Sequence, residues 1–76
     1  MTLIEKFTIE SSAAACDSAT VVLQDVVSIF NLLSANLPNL SVRDRSDLQN
    51  EASNRLKIAQ EMRSTATKLR AMITGR

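Results

Sequence analysis

Few side chains in this sequence could do chemistry, and their types limit what that chemistry could be. Asp44, Asp47 and Glu51 form an acidic cluster just after the only proline, Pro38. Carboxylates serve general acid–base catalysis when a pocket shifts their pKa values. Acids also favour the first turns of a helix, where they meet the positive end of its dipole. Their position here predicts the second role. Ser11-Ser12 and Ser64-Thr65 supply hydroxyls, but the chain has no histidine to activate them, so they are expected to be a helix cap and a solvent-facing pair. Cys16 is the only cysteine. It cannot form an internal disulfide, and without histidine it offers no metal-ligand set. A reactive thiol needs an electropositive, exposed setting, so Cys16 is expected to be a small core residue. A single glycine, Gly75, excludes a glycine-rich phosphate loop.

Arg55, Lys57, Arg63, Lys68 and Arg70 follow one another along the second half of the chain. A basic helix can lie in a DNA groove. Here Glu51 and Glu61 are interspersed, the bases fall on more than one face, and no Tyr or Trp is present for base stacking. A solvated or protein-docking face is favoured over nucleic-acid binding. These residues therefore predict a protein that is not an enzyme, with no catalytic site, cofactor or metal.

The elements that position these residues follow from sparse punctuation. Pro38 lies in Ser-Ala-Asn-Leu-Pro-Asn-Leu-Ser, the one cluster with turn chemistry. The chain reads as helix on both sides of it. The pattern predicts an all-α, two-helix antiparallel hairpin: a helix over about 11–36, a turn over about 37–42, and a helix over about 43–73. The whole chain, 1–76, forms one domain, completed by oligomerisation. Ser41 precedes Asp44 by three residues and Ser46 precedes Gln49 by three, so two capping-box starts are open to the second helix. Acids at its start and Lys68, Arg70 and Arg76 at its end complement the dipole. Residues 2–10 could be a frayed extension, a short arm or the first turns of the first helix; as a further alternative they could fold back as a lid that makes the hairpin a self-contained monomer.

The second helix carries a seam at Leu48, Ala52, Arg55, Ala59, Met62, Ala66, Leu69 and Ile73, with steps alternating four and three. Arg55 interrupts it, and Leu56 next door can take its place. Alanine recurs at 52, 59 and 66, one heptad apart, which permits close approach of a neighbouring helix. The first helix has two adjacent seams. One runs Ala15, Ala19, Val22, Val26, Ile29, Leu33; the other runs Ile9, Ala13, Cys16, Thr20, Leu23, Val27, Phe30. Between Thr20 and Leu33, nine of fourteen side chains are apolar. A helix apolar round most of its circumference is expected to be buried on more than one side. One partner helix can cover one seam.

A chain of 76 residues has a small core and marginal stability without a staple or partner. Its charge is uneven: residues 1–40 hold one base and four acids, and residues 41–76 hold eight bases and four acids. That asymmetry suits the pairing of unlike surfaces. The start lacks a basic region followed by an apolar core, so no cleaved signal peptide is expected. The longest uncharged window contains Asn31, Asn36, Pro38 and Asn39, so no membrane span is expected either. The predicted location is cytoplasmic, or exported without a cleaved signal peptide.

Two helices around a short Asn/Pro turn, in a chain of this length, resemble the needle and inner-rod subunits of bacterial type III secretion systems. The likeness rests on Asp47-Leu48-Gln49 after the turn, and on Ser64-Thr65, Lys68-Leu69 and Met72-Ile73 near the end. It implies a helical homopolymer around a channel, with the C-terminal helix packed between subunits. The expected function is a structural subunit acting through helix–helix packing and self-assembly. The alternative is a small helical co-chaperone, adaptor or antagonist in a closed dimer or heterocomplex. The expected partners are other protein chains. Candidate interface residues are Val22, Val26, Ile29, Phe30 and Leu33 on the first helix, and Ala59, Met62, Ala66, Leu69 and Ile73 on the second.

Overall fold

A computed structural model describes residues 1–74. Two α-helices, α1 (Leu3–Asn36) and α2 (Val42–Thr74), form an antiparallel hairpin with no strand among the described residues. The molecule is a rod of 57 × 15 × 12 Å. Its length matches a 34-residue helix rising about 1.5 Å per residue.

The first helix begins at Leu3, eight residues earlier than the sequence pattern predicts. A capping box sets the start. Thr2 Oγ1 accepts from the Glu5 backbone N–H at 3.1 Å, and Glu5 Oε1 accepts from the Thr2 N–H at 2.9 Å. Two N–H groups that a helix start leaves unpaired are thereby satisfied. Residues 3–10 are the first turns of α1, so neither the folded-back lid nor the separate arm is formed. Ser11 and Ser12 accordingly lie inside the helix and not at its cap; Ser12 Oγ donates to the Thr8 carbonyl at 2.8 Å.

Pro38 ends α1 for a local reason. The residue before a proline is pushed out of the helical region, and Leu37 is extended, with φ −100° and ψ 101°. Arg45 then reaches back across the turn, donating from Nη2 to the Leu37 carbonyl at 3.1 Å. Of the two available starts for α2, the chain uses the first. Ser41 Oγ accepts from the Asp44 N–H at 3.0 Å and the Ser41 carbonyl accepts from Arg45 N–H at 3.0 Å. Ser46 is exposed inside the helix. Arg76, expected near the helix end, lies outside the described residues.

The helices meet along alanine. Ala13, Ala52, Ala59 and Ala66 are at most 5% exposed, and they make up the buried apolar core. Larger members of the same seams (Leu23, Val27 and Phe30 on α1; Leu48, Met62, Leu69 and Ile73 on α2) are half-buried beside them. Thr20, also buried, shows how close the backbones come. Its hydroxyl donates to the Cys16 carbonyl at 2.8 Å and stands 3.5 Å from the Ala59 carbonyl of α2. Cys16 is half-buried in this seam. No buried side-chain polar atom among the described residues is left without a hydrogen-bond partner.

Candidate interaction surface

The α1 seam that faces α2 is the one running from Ile9 through Ala13, Cys16, Thr20, Leu23 and Val27 to Phe30, and Ser34 extends it by one step. The other seam lies about a quarter-turn round the helix, on a flank that α2 does not cover. Val22 is 60% exposed, Ile29 54% and Leu33 38%, with Val26 half-buried between them. Phe30, from the same candidate set, belongs to the covered seam. Ala59, Met62, Ala66, Leu69 and Ile73 likewise sit in the seam of α2 that packs within the hairpin. The candidate residues thus divide into a free flank (Val22, Val26, Ile29, Leu33) and an internal seam (the other six).

Arg55 also corrects the sequence pattern. It stays in the seam, part-buried, while Leu56 is 42% exposed. Its guanidinium carbon lies 5.3 Å from the centroid of the Phe30 ring, and the same group pairs with Glu51 one turn earlier. A guanidinium over a ring face gains from the ring quadrupole. Its apolar stem covers the seam while the charged head stays near water, so an arginine can occupy a position that periodicity assigns to an apolar residue.

The two flanks of α1 differ in kind. One holds Glu10, Asp17, Gln24 and Asn31. On that side Arg70 Nη2 donates to Asp17 Oδ2 at 2.5 Å across the helix pair. The Arg70 hydrogen bond holds the Asp17 carboxyl below the usual aspartate range. The opposite flank reads Thr8, Ser12, Ala15, Ala19, Val22, Val26, Ile29, Leu33, Asn36, with the exposed Asp25 at its outer margin, one turn from both Val22 and Ile29. At its turn end Ile29, Leu32, Leu33, Asn36 and Leu37 line an open apolar hollow of about 410 Å³. At its other end Leu3, Ile4 and Phe7 project from the first turns of α1, each more than 70% exposed.

These groups leave apolar surface uncovered on one side of the hairpin. Among the described residues there is no group of His, Cys, Asp and Glu able to hold a metal ion, and the hollow is lined by side chains without titratable groups. By length and composition alone, α1 is apolar enough to cross a membrane. The same composition is what a helix needs to face partners on two sides. Its hairpin partner is charged along its whole length, from Arg43 to Arg70. Comparison with protein-family models, with curated proteins and with solved structures finds no match for the chain.

Proposed function

We propose that this chain is a non-enzymatic structural subunit that works by packing the free flank of α1 against another protein chain, and that it self-assembles. One observation carries this reading: Val22, Ile29 and Leu33 stay exposed on a hairpin whose own core is mostly alanine. Full burial of such a side chain contributes about 1.5–3 kcal/mol. A domain of this size is stable by only about 4–11 kcal/mol, at roughly 0.05–0.15 kcal/mol per residue. Between 38% and 60% of each of these three side chains is still exposed, so covering them contributes roughly 2–5 kcal/mol, a large part of the stability of the whole fold before the cost of ordering side chains at the interface.

The resemblance to type III secretion needle and rod subunits is the sharpest version of this proposal. Such a filament needs two different contact patches, because head-to-tail contacts grow open-ended when rotation does not close. The exposed Leu3, Ile4 and Phe7 offer a second patch at the opposite end from the turn. A co-chaperone or adaptor in a closed complex is the other reading, favoured by the open apolar hollow beside the turn, a recess that an apolar side chain of a partner can enter. Light scattering across concentration tests the proposal. Self-association that Val26→Asp abolishes supports it; a monomer at every concentration up to the millimolar range refutes it. Growth without limit favours the filament, and a fixed small mass favours the closed complex.

A further inference from the structure

We infer that the free α1 flank takes an amphipathic helix of another protein, apolar along one stripe and edged with lysine or arginine, which seats between α1 and α2 as the third helix of a bundle. The inference rests on the proposal that another chain packs on this flank, and it names the chemistry of that chain.

The two sides of the hairpin differ in charge. The Asp17–Arg70 pair marks one side, and residues one heptad apart share it, so Arg63 and Leu56 lie there with Arg70. The opposite side of the α2 seam carries Glu51, Ile58 and Thr65, with Asp47 and Glu61 one step further round. On that same side Val22, Ile29 and Leu33 of α1 are exposed. Thr20 beside Ala59 and Phe30 under Arg55 fix the register of the two helices. That register sets α2 from Glu61 back to Asp47 alongside α1 from Val22 to Leu33.

The result is an apolar floor between two acidic rims. Ile58, 41% exposed, extends the floor onto α2. Asp25 edges it on α1, and Asp47 and Glu61 edge it on α2. All three carboxylates are exposed, and none forms an ion pair among the described residues. Glu51 is already paired with Arg55, while Arg43 and Lys57 stand on the side of α2 remote from α1. Lys68 is a base on the acidic side, but it lies one heptad beyond Glu61, towards the open end.

These surroundings select the occupant. A nucleic acid or an anionic lipid surface brings negative charge to unpaired carboxylates, and the same flank of a second copy brings Asp25 against acids. A purely ionic ligand leaves the floor in water. An apolar stripe with basic edges meets both parts at once: long Lys and Arg stems lie along apolar surface while their charges reach the rim, and complementary charge steers approach and fixes register. A helix supplies the matching shape. The floor recurs at steps of three and four residues from Ala19 to Leu33, about 21 Å at 1.5 Å per residue, the length of about four turns of a neighbouring helix packed along it. The hollow beside Ile29 and Leu33 receives a side chain from the end of that helix. Such a partner competes with self-assembly for the same side chains.

Two synthetic peptides of about 18 residues, long enough to be helical once bound, test this by fluorescence anisotropy. Both carry one leucine stripe at three- and four-residue spacing; one has lysine at the edges of the stripe and the other glutamate. The lysine-edged peptide should bind one-to-one and the glutamate-edged peptide about tenfold more weakly, with the gap narrowing as salt rises. In the triple variant Asp25→Lys, Asp47→Lys, Glu61→Lys, whose changed positions are all exposed, the preference should reverse, with circular dichroism verifying that the hairpin is intact. Ile29→Gln should weaken the lysine-edged peptide without altering the charge preference. Equal affinity of the parent chain for the two peptides overturns the inference, as does a preference that the triple variant leaves unchanged. Failure of both peptides to bind up to about 1 mM also overturns it. Light scattering of the chain alone still decides self-assembly in that case, so the two readings fail separately.

Discussion

Replacing Ala59 with leucine should destabilise the hairpin more than any comparable substitution on its outer surface. Ala59 is 2% exposed, and its carbonyl lies 3.5 Å from the Thr20 hydroxyl of the facing helix. At that approach no volume exists for three further carbons. The helices must move apart along the seam, or leucine must take a strained rotamer. Overpacking of this kind costs about 1–3 kcal/mol. For a domain of 60–100 residues each 1 kcal/mol lowers Tm by about 4–8 °C, so the melting point should fall by about 4–24 °C. Helical circular dichroism followed on heating measures it, at fixed protein concentration because self-association also raises Tm. Ser64→Leu adds similar bulk on the exposed side of α2 and should stay within about 0.5 kcal/mol. An Ala59→Leu variant that melts at or above the parent temperature would show that the helices do not meet through their alanines.

Other perturbations follow from the same contacts. Thr2→Ala removes half of the capping box and should cost about 1 kcal/mol; amide hydrogen exchange should quicken over the first turn of α1 and not elsewhere. Arg55→Ala loses the contact with the Phe30 ring and seam-covering stem, and should lower stability by about 0.5–1 kcal/mol, whereas Arg55→Met keeps the stem and should recover most of it by thermal melting. Asp17 is held below the usual aspartate range by Arg70. The bond contributes stability at pH values above the unfolded aspartate pKa, about 3.9, and the contribution is lost as pH falls through the lower folded value. Both side chains are half exposed, so the effect is small; Asp17→Asn should flatten the acid limb of a Tm-against-pH curve, and an unchanged limb would show that the pair contributes nothing.

Much of the fold is legible in residue spacing. The α2 seam from Leu48 to Ile73 follows the four-three pattern of the sequence, and its three alanines are the buried residues of that helix. Pro38 marks the turn because the residue before a proline is disfavoured in the helical region. The start of α1 was equally local: Thr2 and Glu5 stand at capping-box spacing. The alternation of Leu3, Phe7 and Ile9 obscures it, because those residues leave no clear apolar face to extend.

What periodicity could not decide was which seam of α1 faces α2. Two adjacent seams a quarter-turn apart both satisfy helical spacing, and nothing local separates them. The choice depends on residues distant in sequence. Ala13 and Thr20 are small enough for the close approach that Ala59 and Ala66 permit, and the rotation that buries them also brings Asp17 within reach of Arg70. Turning α1 the other way would put the larger Val22, Ile29 and Leu33 into that narrow space and carry Asp17 away from its partner. The sequence by itself determined two long helices, their turn and an excess of apolar surface. Tertiary packing decided which part of that surface remains outside, because only the facing alanines set how large a side chain the interior can hold.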